Sequence, residues 1–174
     1  MRCALNFWQT GFLVGLSMLM SGTTSHPTRP SSITVHIFLS TECPISQQYV
    51  RQLTELQRRY KPSGIHFMAW FPLRTDSPRI IRQFQTEYKL SFAGKPDPGA
   101  RLARQLRVRV TPEVVVMQSD GQVRYQGAID DWYVSLGRHR SEVTKHYLCD
   151  ALDAILIGSD VAVAKTDAVG CVVE

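Results

Sequence analysis

A cysteine followed directly by a proline is the first feature of this sequence that could do chemistry. Cys43 and Pro44 lie where an apolar run changes into a helical pattern. Because proline is favoured at the first position of a helix, Cys43 is predicted at the N-cap. There the unpaired backbone N–H groups and the helix dipole favour a thiolate over a thiol. The pattern indicates a nucleophilic cysteine rather than a buried, inert one.

The usual partner of such a cysteine is missing. Thiol-exchange sites often carry a second cysteine three residues after the first, but Ser46 occupies that position. A serine can hydrogen-bond a thiolate, but it cannot resolve a mixed disulfide. No CxxC pair or Cys/His cluster with zinc spacing occurs, so neither a metal nor another cofactor is expected.

The N-terminus predicts export. Residues 1–25 combine Arg2, the apolar run GFLVGLSMLM and small polar residues, which is the layout of a secretory signal peptide. The apolar run is shorter than a membrane span requires, although an uncleaved anchor is the alternative. We therefore predict a periplasmic or extracellular protein. Loss of Cys3 with the signal peptide would leave three cysteines, which means one disulfide, one free thiol and three possible pairings.

The composition is that of one globular domain. The chain has 174 residues, of which 44% are hydrophobic and 20% are charged. Its formal net charge is +5, but the basic residues are scattered, without a basic block or interleaved aromatic residues. This distribution argues against nucleic acid as a partner and favours a solvated basic surface. An anionic membrane surface or an acidic protein is the alternative partner.

The remaining chain alternates between strand and helix patterns. Early alternation requires parallel crossovers, and the hairpin signal at Asp120-Gly121 adds an antiparallel edge. The result is an α/β domain at residues 33–158, preceded by a linker at 26–32 and followed by an extended or irregular tail at 159–174 that carries Cys171. The predicted elements are strands at 33–39, 65–71 and on both sides of Asp120, and helices at 45–60, after Ser77, after Asp97 and over 141–157. The continuous apolar run at 65–71 predicts a strand buried on both faces.

Thr111-Pro112, directly before a strand, gives the domain a family resemblance. Together with Cys43-Pro44, the order of elements and the hairpin, it resembles the thioredoxin-like redoxins. The resemblance implies a three-layer sandwich with a mixed central sheet flanked by helices. It also implies a cis bond at Pro112, and a Thr111 that packs against the reactive sulfur and offers its backbone to an extended substrate.

Four further segments resemble exported bacterial redoxins related to the alkyl hydroperoxide reductase and thiol-specific antioxidant group. They are TECPI, GAIDDWY, ALDAILIG and TDAVGC. The resemblance implies antioxidant activity, a role in cell redox homeostasis, and a cytochrome-type or metalloenzyme partner. The last segment makes Cys171 a candidate resolving thiol for Cys43. A structural Cys149–Cys171 disulfide, with Cys43 as a lone thiol, is the alternative that remains open.

Two other branches of the fold match only in part. Peroxiredoxins carry Pro-x-x-x-Thr-x-x-Cys and a later arginine; here Ser40 replaces the threonine, His36 replaces the proline, and Arg109 is the candidate arginine. Copper chaperones use CxxxC, and Gln47 occupies the second cysteine position.

The function predicted from these patterns is thiol–disulfide exchange with Cys43 as the nucleophile. Pro44 and Ser46 would shape the helix start, Thr111-Pro112 would oppose it, and Cys171 or an outside thiol would resolve the intermediate. A thiol peroxidase supported by Ser40 and Arg109, and a module that binds copper(I) or a redox partner without catalysis, are the alternatives. The expected substrates are thiol or disulfide proteins, or a peroxide.

Three polar features receive structural interpretations. Glu113 is predicted to be a solvated carboxylate at a strand end. Asp130 and Asp131 are predicted to cap a turn, and His36 to be a core histidine whose polar atoms have partners.

Overall fold

The structure is a computed structural model that describes residues 32–173. The predicted signal peptide and nearly all of the linker, as well as residue 174, lie outside the described residues. Within 32–173, none of the helices has the length and apolar composition that a membrane crossing requires. The strands are β1 (Ile33–Phe38), β2 (His66–Phe71), β3 (Gly94–Pro96), β4 (Val110–Thr111), β5 (Glu113–Gln118), β6 (Val123–Gly127), β7 (Tyr133–Ser135), β8 (Arg138–His139) and β9 (Cys171–Val172). The helices are α1 (Pro44–Tyr60), α2 (Pro78–Glu87), α3 (Arg101–Gln105) and α4 (Tyr147–Leu156), with 3₁₀ turns at Lys61–Ser63 and Pro98–Ala100.

A five-stranded mixed sheet forms the centre of the molecule. Its strand order is β3-β2-β1-β5-β6, with β1, β2 and β3 parallel and with β5 and β6 antiparallel to their neighbours. The strand–helix alternation in the first half of the sequence predicts these parallel crossovers. The hairpin between β5 and β6 turns at Asp120-Gly121, as its sequence indicates.

Helices cover the two faces of the sheet unequally. The larger core cluster joins one face to α1, α2 and α4, and includes Leu53, Phe84 and Leu152. The smaller cluster on the other face packs Phe38 and Val115 against the short α3 and the turn before it. The architecture is the predicted mixed sheet flanked by helices.

Strand β2 is not buried on both faces, contrary to the sequence-based prediction. Phe67, Ala69 and Phe71 are buried, but His66 is exposed and Met68 is only half-buried. The side chains of His66 and Met68 lie on the face of the sheet that α3 covers. Because α3 has only five residues, it reaches only part of that face.

The final helix begins at Tyr147, six residues later than its pattern predicts. The segment before it is held in a non-helical conformation by Asp131. This carboxylate accepts hydrogen bonds from the backbone N–H groups of Thr144 and Lys145, at 2.8 and 2.9 Å, and from the Thr144 hydroxyl at 2.5 Å. These bonds compete with the helical pattern of backbone hydrogen bonding. Asp131 therefore fixes the helix start from outside the helix.

The tail after Gly158 is extended and packs along the domain. Thr166 binds the end of β6 and the residue after it. Its N–H donates to the Gln126 carbonyl at 3.0 Å, and its Oγ accepts from the Ala128 N–H at 2.9 Å. Gly127 permits this approach, because a β-carbon there would overlap Thr166. Further along, β9 pairs antiparallel with β4. The tail thus ends beside the segment that precedes Pro112.

Candidate redox site

Cys43 is the N-cap residue of α1, and Pro44 is the first residue of the helix. Its N–H donates to the Ser40 carbonyl at 3.3 Å, and its own carbonyl accepts from the Gln47 N–H at 3.0 Å. The side chain is 1% exposed and packs with the larger core cluster. The sulfur therefore lies at the positive end of a 17-residue helix but beneath the molecular surface.

The two serines before and after Cys43 fix the loop around it. Ser46 Oγ accepts from the Ser40 N–H at 3.2 Å, and Ser40 Oγ accepts from the Glu42 N–H at 3.2 Å. Both serines are fully buried. The predicted supporting residues Ser40 and Ser46 thus lie at the helix start, where they order the backbone that carries the sulfur.

Thr111 and Pro112 lie opposite Cys43. Their peptide bond is cis, as the family resemblance implies. In the thiol form, Cys43 Sγ donates a hydrogen bond to the Thr111 carbonyl at 3.0 Å. This bond is buried, and it places the β4 backbone in direct contact with the sulfur.

Glu113 anchors this loop from inside the protein. Its carboxylate accepts from the Arg109 N–H at 3.0 Å and from the Gln126 side-chain amide at 2.8 Å. Glu113 is buried, so its prediction as a solvated strand-end carboxylate is wrong. The sequence offers no signal for these partners, because one of them reaches Glu113 from the neighbouring strand β6.

The tail brings Cys171 to the site. Residues Thr111 and Cys171 are directly paired in the β4–β9 ladder. Cys171 Sγ lies 2.7 Å from Cys43 Sγ and donates to it, while both cysteines are thiols. A disulfide has an S–S distance of about 2.05 Å, so oxidation of this thiol pair, with loss of two protons and two electrons to an oxidant, needs only a small further approach of the sulfurs.

Cys149 occupies a different position. It lies on α4, is buried with the larger core cluster, and its carbonyl accepts from the Tyr60 hydroxyl at 3.4 Å. In this structure the sulfur of Cys171 contacts that of Cys43, and all three cysteines are free thiols.

The electrostatics of the two thiols are opposite. Burial acts to raise the pKa of Cys43. Hydrogen bonds to its sulfur outweigh burial and hold that pKa below its usual value. They come from the Cys171 thiol, the Ser46 backbone, the Cys171 backbone N–H and the Ser46 side chain. Burial, the hydrogen bond to Cys43 and the Cys43 charge raise the pKa of Cys171 to about 12. The pair therefore ionises first at Cys43, with Cys171 as the proton-bearing partner.

Arg109 and His36 lie in other environments. The Arg109 guanidinium is exposed and pairs with Asp167 at 2.8 Å. His36 Nδ1 accepts from the Trp70 indole N–H at 3.0 Å, and burial lowers the pKa of His36. His36 thus has the predicted hydrogen-bond partner, but it is half-buried rather than part of the core. Neither side chain is among the groups that set the pKa of Cys43.

The GAIDDWY segment supports α1 near the site. Asp130 accepts from the Tyr49 hydroxyl at 2.5 Å, the Gln52 amide at 2.8 Å and the Trp132 N–H at 2.9 Å. The turn-capping interpretation of Asp130 is correct but incomplete, because the carboxylate also binds two side chains of α1. Burial and the Cys43 charge raise the pKa of Tyr133, which lies in the same segment.

Gly170 is a site residue that the sequence-based reasoning did not identify. A β-carbon at this position would overlap the carbonyl group of Thr111. The glycine directly before Cys171 is the signal that could have revealed it, since close backbone approach requires glycine.

Within residues 32–173, no group of three or more His, Cys, Asp or Glu side chains has the geometry to hold a metal ion.

Comparison with known proteins identifies the fold. No protein-family model and no curated protein sequence matches this chain. An uncharacterized conserved protein from Geobacillus kaustophilus matches with a TM-score of 0.71 and 24% identity, over 83% of this chain and 77% of that chain. A thioredoxin-like protein in its oxidized form matches with a TM-score of 0.56 and 16% identity, over 75% of this chain and 81% of that chain.

A candidate thiol:disulfide interchange protein DsbE from Chlorobium tepidum matches over a smaller region. Its TM-score is 0.50 at 20% identity, covering 56% of this chain and 67% of that chain. At these identities the matches establish architecture. Together with the mixed sheet, its flanking helices and the cis-proline opposite the start of α1, they show that the chain has the thioredoxin-like fold used by thiol–disulfide oxidoreductases.

Proposed function

We propose that this protein is an exported thiol–disulfide oxidoreductase whose redox-active pair is Cys43 and Cys171. The observation that carries the proposal is the 2.7 Å distance between the two sulfurs at the N-terminus of α1. The resolving cysteine that other redoxins place three residues after the first would here come from the tail.

The proposed reaction is two successive thiol–disulfide exchanges. The Cys43 thiolate attacks one sulfur of a substrate disulfide, which forms a mixed disulfide and releases the other substrate sulfur as a thiolate. Cys171 then loses its proton and attacks Cys43 Sγ, which forms the Cys43–Cys171 disulfide and releases the second substrate thiolate. The substrate gains two electrons, and the protein loses two.

The surroundings of Cys43 support its role as the first nucleophile. Donors from Ser46 and Cys171 stabilise its thiolate, and Pro44 holds the helix start behind it. Thr111, with Pro112 in the cis form, would align the substrate next to the sulfur. Since β9 pairs with Thr111 and Cys43 is 1% exposed, the substrate reaches Cys43 when β9 separates from β4.

The proposed place of action is the periplasm or the extracellular space. The support is the layout of residues 1–25, with Arg2 followed by an apolar run. An oxidising compartment allows a Cys43–Cys171 disulfide to persist between cycles. The proposed substrates are thiol or disulfide proteins, with a cytochrome-type or metalloenzyme partner as the source or target of electrons.

The deciding experiment maps disulfides by mass spectrometry and assays disulfide exchange in the same preparations. Oxidised protein is expected to contain the Cys43–Cys171 bond, and to lose exchange activity in Cys43→Ser. Cys149→Ser is the matched control, because Cys149 lies on α4 outside the pair, and it should keep both the bond and the activity. A Cys149–Cys171 bond, or an active Cys43→Ser variant, would overturn the proposal.

A further inference from the structure

We infer that a low-molecular-weight thiol that reduces the oxidised pair attacks Cys171 Sγ, and that Cys43 Sγ is the leaving group. This inference rests on the proposed function and assigns a direction to the pair. In a redoxin with CxxC, an incoming thiol attacks the first cysteine. Here the tail covers the first cysteine, Cys43, and leaves Cys171 the more exposed of the two.

Burial is the first support for this direction. Cys43 is 1% exposed, whereas Cys171 is only partly buried. In the oxidised protein a covalent bond would hold Cys171 over Cys43. That bond prevents β9 from separating from β4, which is the movement that admits a substrate to reduced Cys43. The sulfur of Cys171 is then the more accessible of the two.

The packing of the tail closes the other approaches. The Thr111 carbonyl lies 3.0 Å from the Cys43 sulfur, and the Thr111 backbone is paired with Cys171. Gly170 packs directly against the Thr111 carbonyl. An extended polypeptide thiol would need the edge of β4 that β9 occupies. A low-molecular-weight thiol does not need that edge, so it can attack the disulfide while β9 stays paired with β4.

The chemistry of the leaving group is the second support. In thiol–disulfide exchange, the sulfur with the lower pKa departs more readily. When Cys43 leaves, Cys171 holds the incoming thiol and has no S–H to donate, but donors from the Ser46 backbone and side chain and from the Cys171 backbone still favour the Cys43 thiolate. Burial, the largest cause, raises the pKa of Cys171 whether or not Cys43 is charged. Attack on Cys171 therefore expels the Cys43 thiolate, which is stabilised. Attack on Cys43 would expel the Cys171 thiolate, which is less stable.

Reduction of the oxidised pair takes two thiol–disulfide exchanges. The incoming thiolate forms a bond to Cys171 Sγ, the Cys43–Cys171 bond breaks, and its electron pair remains on Cys43. A second molecule of the small thiol then attacks the mixed disulfide, which releases Cys171 as a thiol and yields the oxidised small-molecule disulfide. Two thiols supply the two electrons that the protein pair gains.

The test uses the oxidised full chain and glutathione as the probe. The reaction is quenched at successive short times with an alkylating agent, and peptides are mapped for glutathione adducts. At the earliest times we expect the adduct on Cys171 and the alkyl group on Cys43, with an excess over the reverse pattern of about tenfold or more. An adduct mainly on Cys43 would overturn the inference.

Two variants keep this outcome interpretable. Cys149→Ser should give the same pattern, because Cys149 is outside the pair. In Cys43→Ser the glutathione adduct on Cys171, prepared with glutathione disulfide and freed of excess glutathione, should persist, because Cys43 is absent and no second thiol is present to attack it. If that adduct disappears as fast as in the protein with Cys43, the inference is wrong. Failure of the proposed function is separately visible, because no Cys43–Cys171 disulfide would form at the outset.

Discussion

Gly170 lies directly against the carbonyl group of Thr111, in the space that a β-carbon would need. The next residue, Cys171, is paired with Thr111 in the β4–β9 ladder, and its sulfur reaches Cys43 from there. The glycine is therefore a condition for the close packing that brings the two sulfurs together.

Substitution of Gly170 tests this relationship. Gly170→Ala should lower the equilibrium constant for the Cys43–Cys171 disulfide, measured against glutathione buffers, by about fivefold or more, because overpacking costs about 1–3 kcal/mol. Ala162→Ser, at an exposed position of the same tail, is the control and should leave the constant unchanged. An unchanged constant in Gly170→Ala would show that the tail docks without this contact.

Removal of the Cys171 side chain should raise the pKa of Cys43. The Cys171 thiol donates to the Cys43 sulfur and favours its thiolate, so Cys171→Ala removes the largest of the stabilising interactions. The carbon-13 shift of labelled Cys43 Cβ, followed against pH, measures the change. Cys149→Ala should leave the titration where it is. A Cys43 pKa that stays the same or falls in Cys171→Ala would contradict this electrostatic account.

The stability of the reduced protein should depend on pH through the two thiols in opposite directions. Cys43 ionises at a lower pH in the folded than in the unfolded chain, so the unfolded chain binds more protons and stability rises as pH rises toward the ordinary thiol pKa of 9.0. Above that value the folded chain keeps the Cys171 proton that the unfolded chain loses, and stability falls until about pH 12.

Urea unfolding of the reduced protein at a series of pH values measures this dependence. The slope for one proton is at most about 1.4 kcal/mol per pH unit. Cys43→Ala should abolish the rise below pH 9, because the group with the lowered pKa is gone. A rise of equal slope in that variant would mean that another group is responsible.

Glu113 should be important for stability despite its charge. Glu113→Ala leaves the Arg109 N–H and the Gln126 amide without their buried acceptor, which costs about 1–3 kcal/mol in the free energy of unfolding. Glu87→Ala, at an exposed position of α2, should change that free energy by less than about 0.5 kcal/mol. Chemical denaturation of the two variants provides the comparison, and equal effects would contradict the role of Glu113 as an anchor.

Arg109 distinguishes disulfide exchange from the peroxidase alternative. Its guanidinium forms an exposed ion pair with Asp167, and such pairs contribute about 0–1 kcal/mol. Arg109→Ala should therefore leave the rate of sulfenic acid formation at Cys43 with hydrogen peroxide unchanged. A large decrease in that rate, relative to the neighbouring exposed variant Arg107→Ala, would restore the peroxidase interpretation.

Local sequence patterns were sufficient to predict the start of α1 and the hairpin between β5 and β6. The proline after the cysteine, the helical spacing of α1 and the Asp120-Gly121 turn each act through neighbours in the chain, and the structure has the corresponding helix start and hairpin. The alternation of strands and helices constrains the topology in the same way, because parallel strands need crossovers.

Tertiary structure decided which cysteine lies beside Cys43. Cys43 and Cys171 are 128 residues apart, and the sequence alone does not distinguish a Cys43–Cys171 disulfide from a Cys149–Cys171 disulfide. The same holds for the buried acceptor Glu113 and for Asp131, whose bonds to Thr144 and Lys145 delay the start of α4. The sequence by itself thus determined where a reactive thiol could form, since helix caps are local. Only the packing of the tail on β4 and β6 decided what faces that thiol, because such contacts depend on the positions of distant backbone segments.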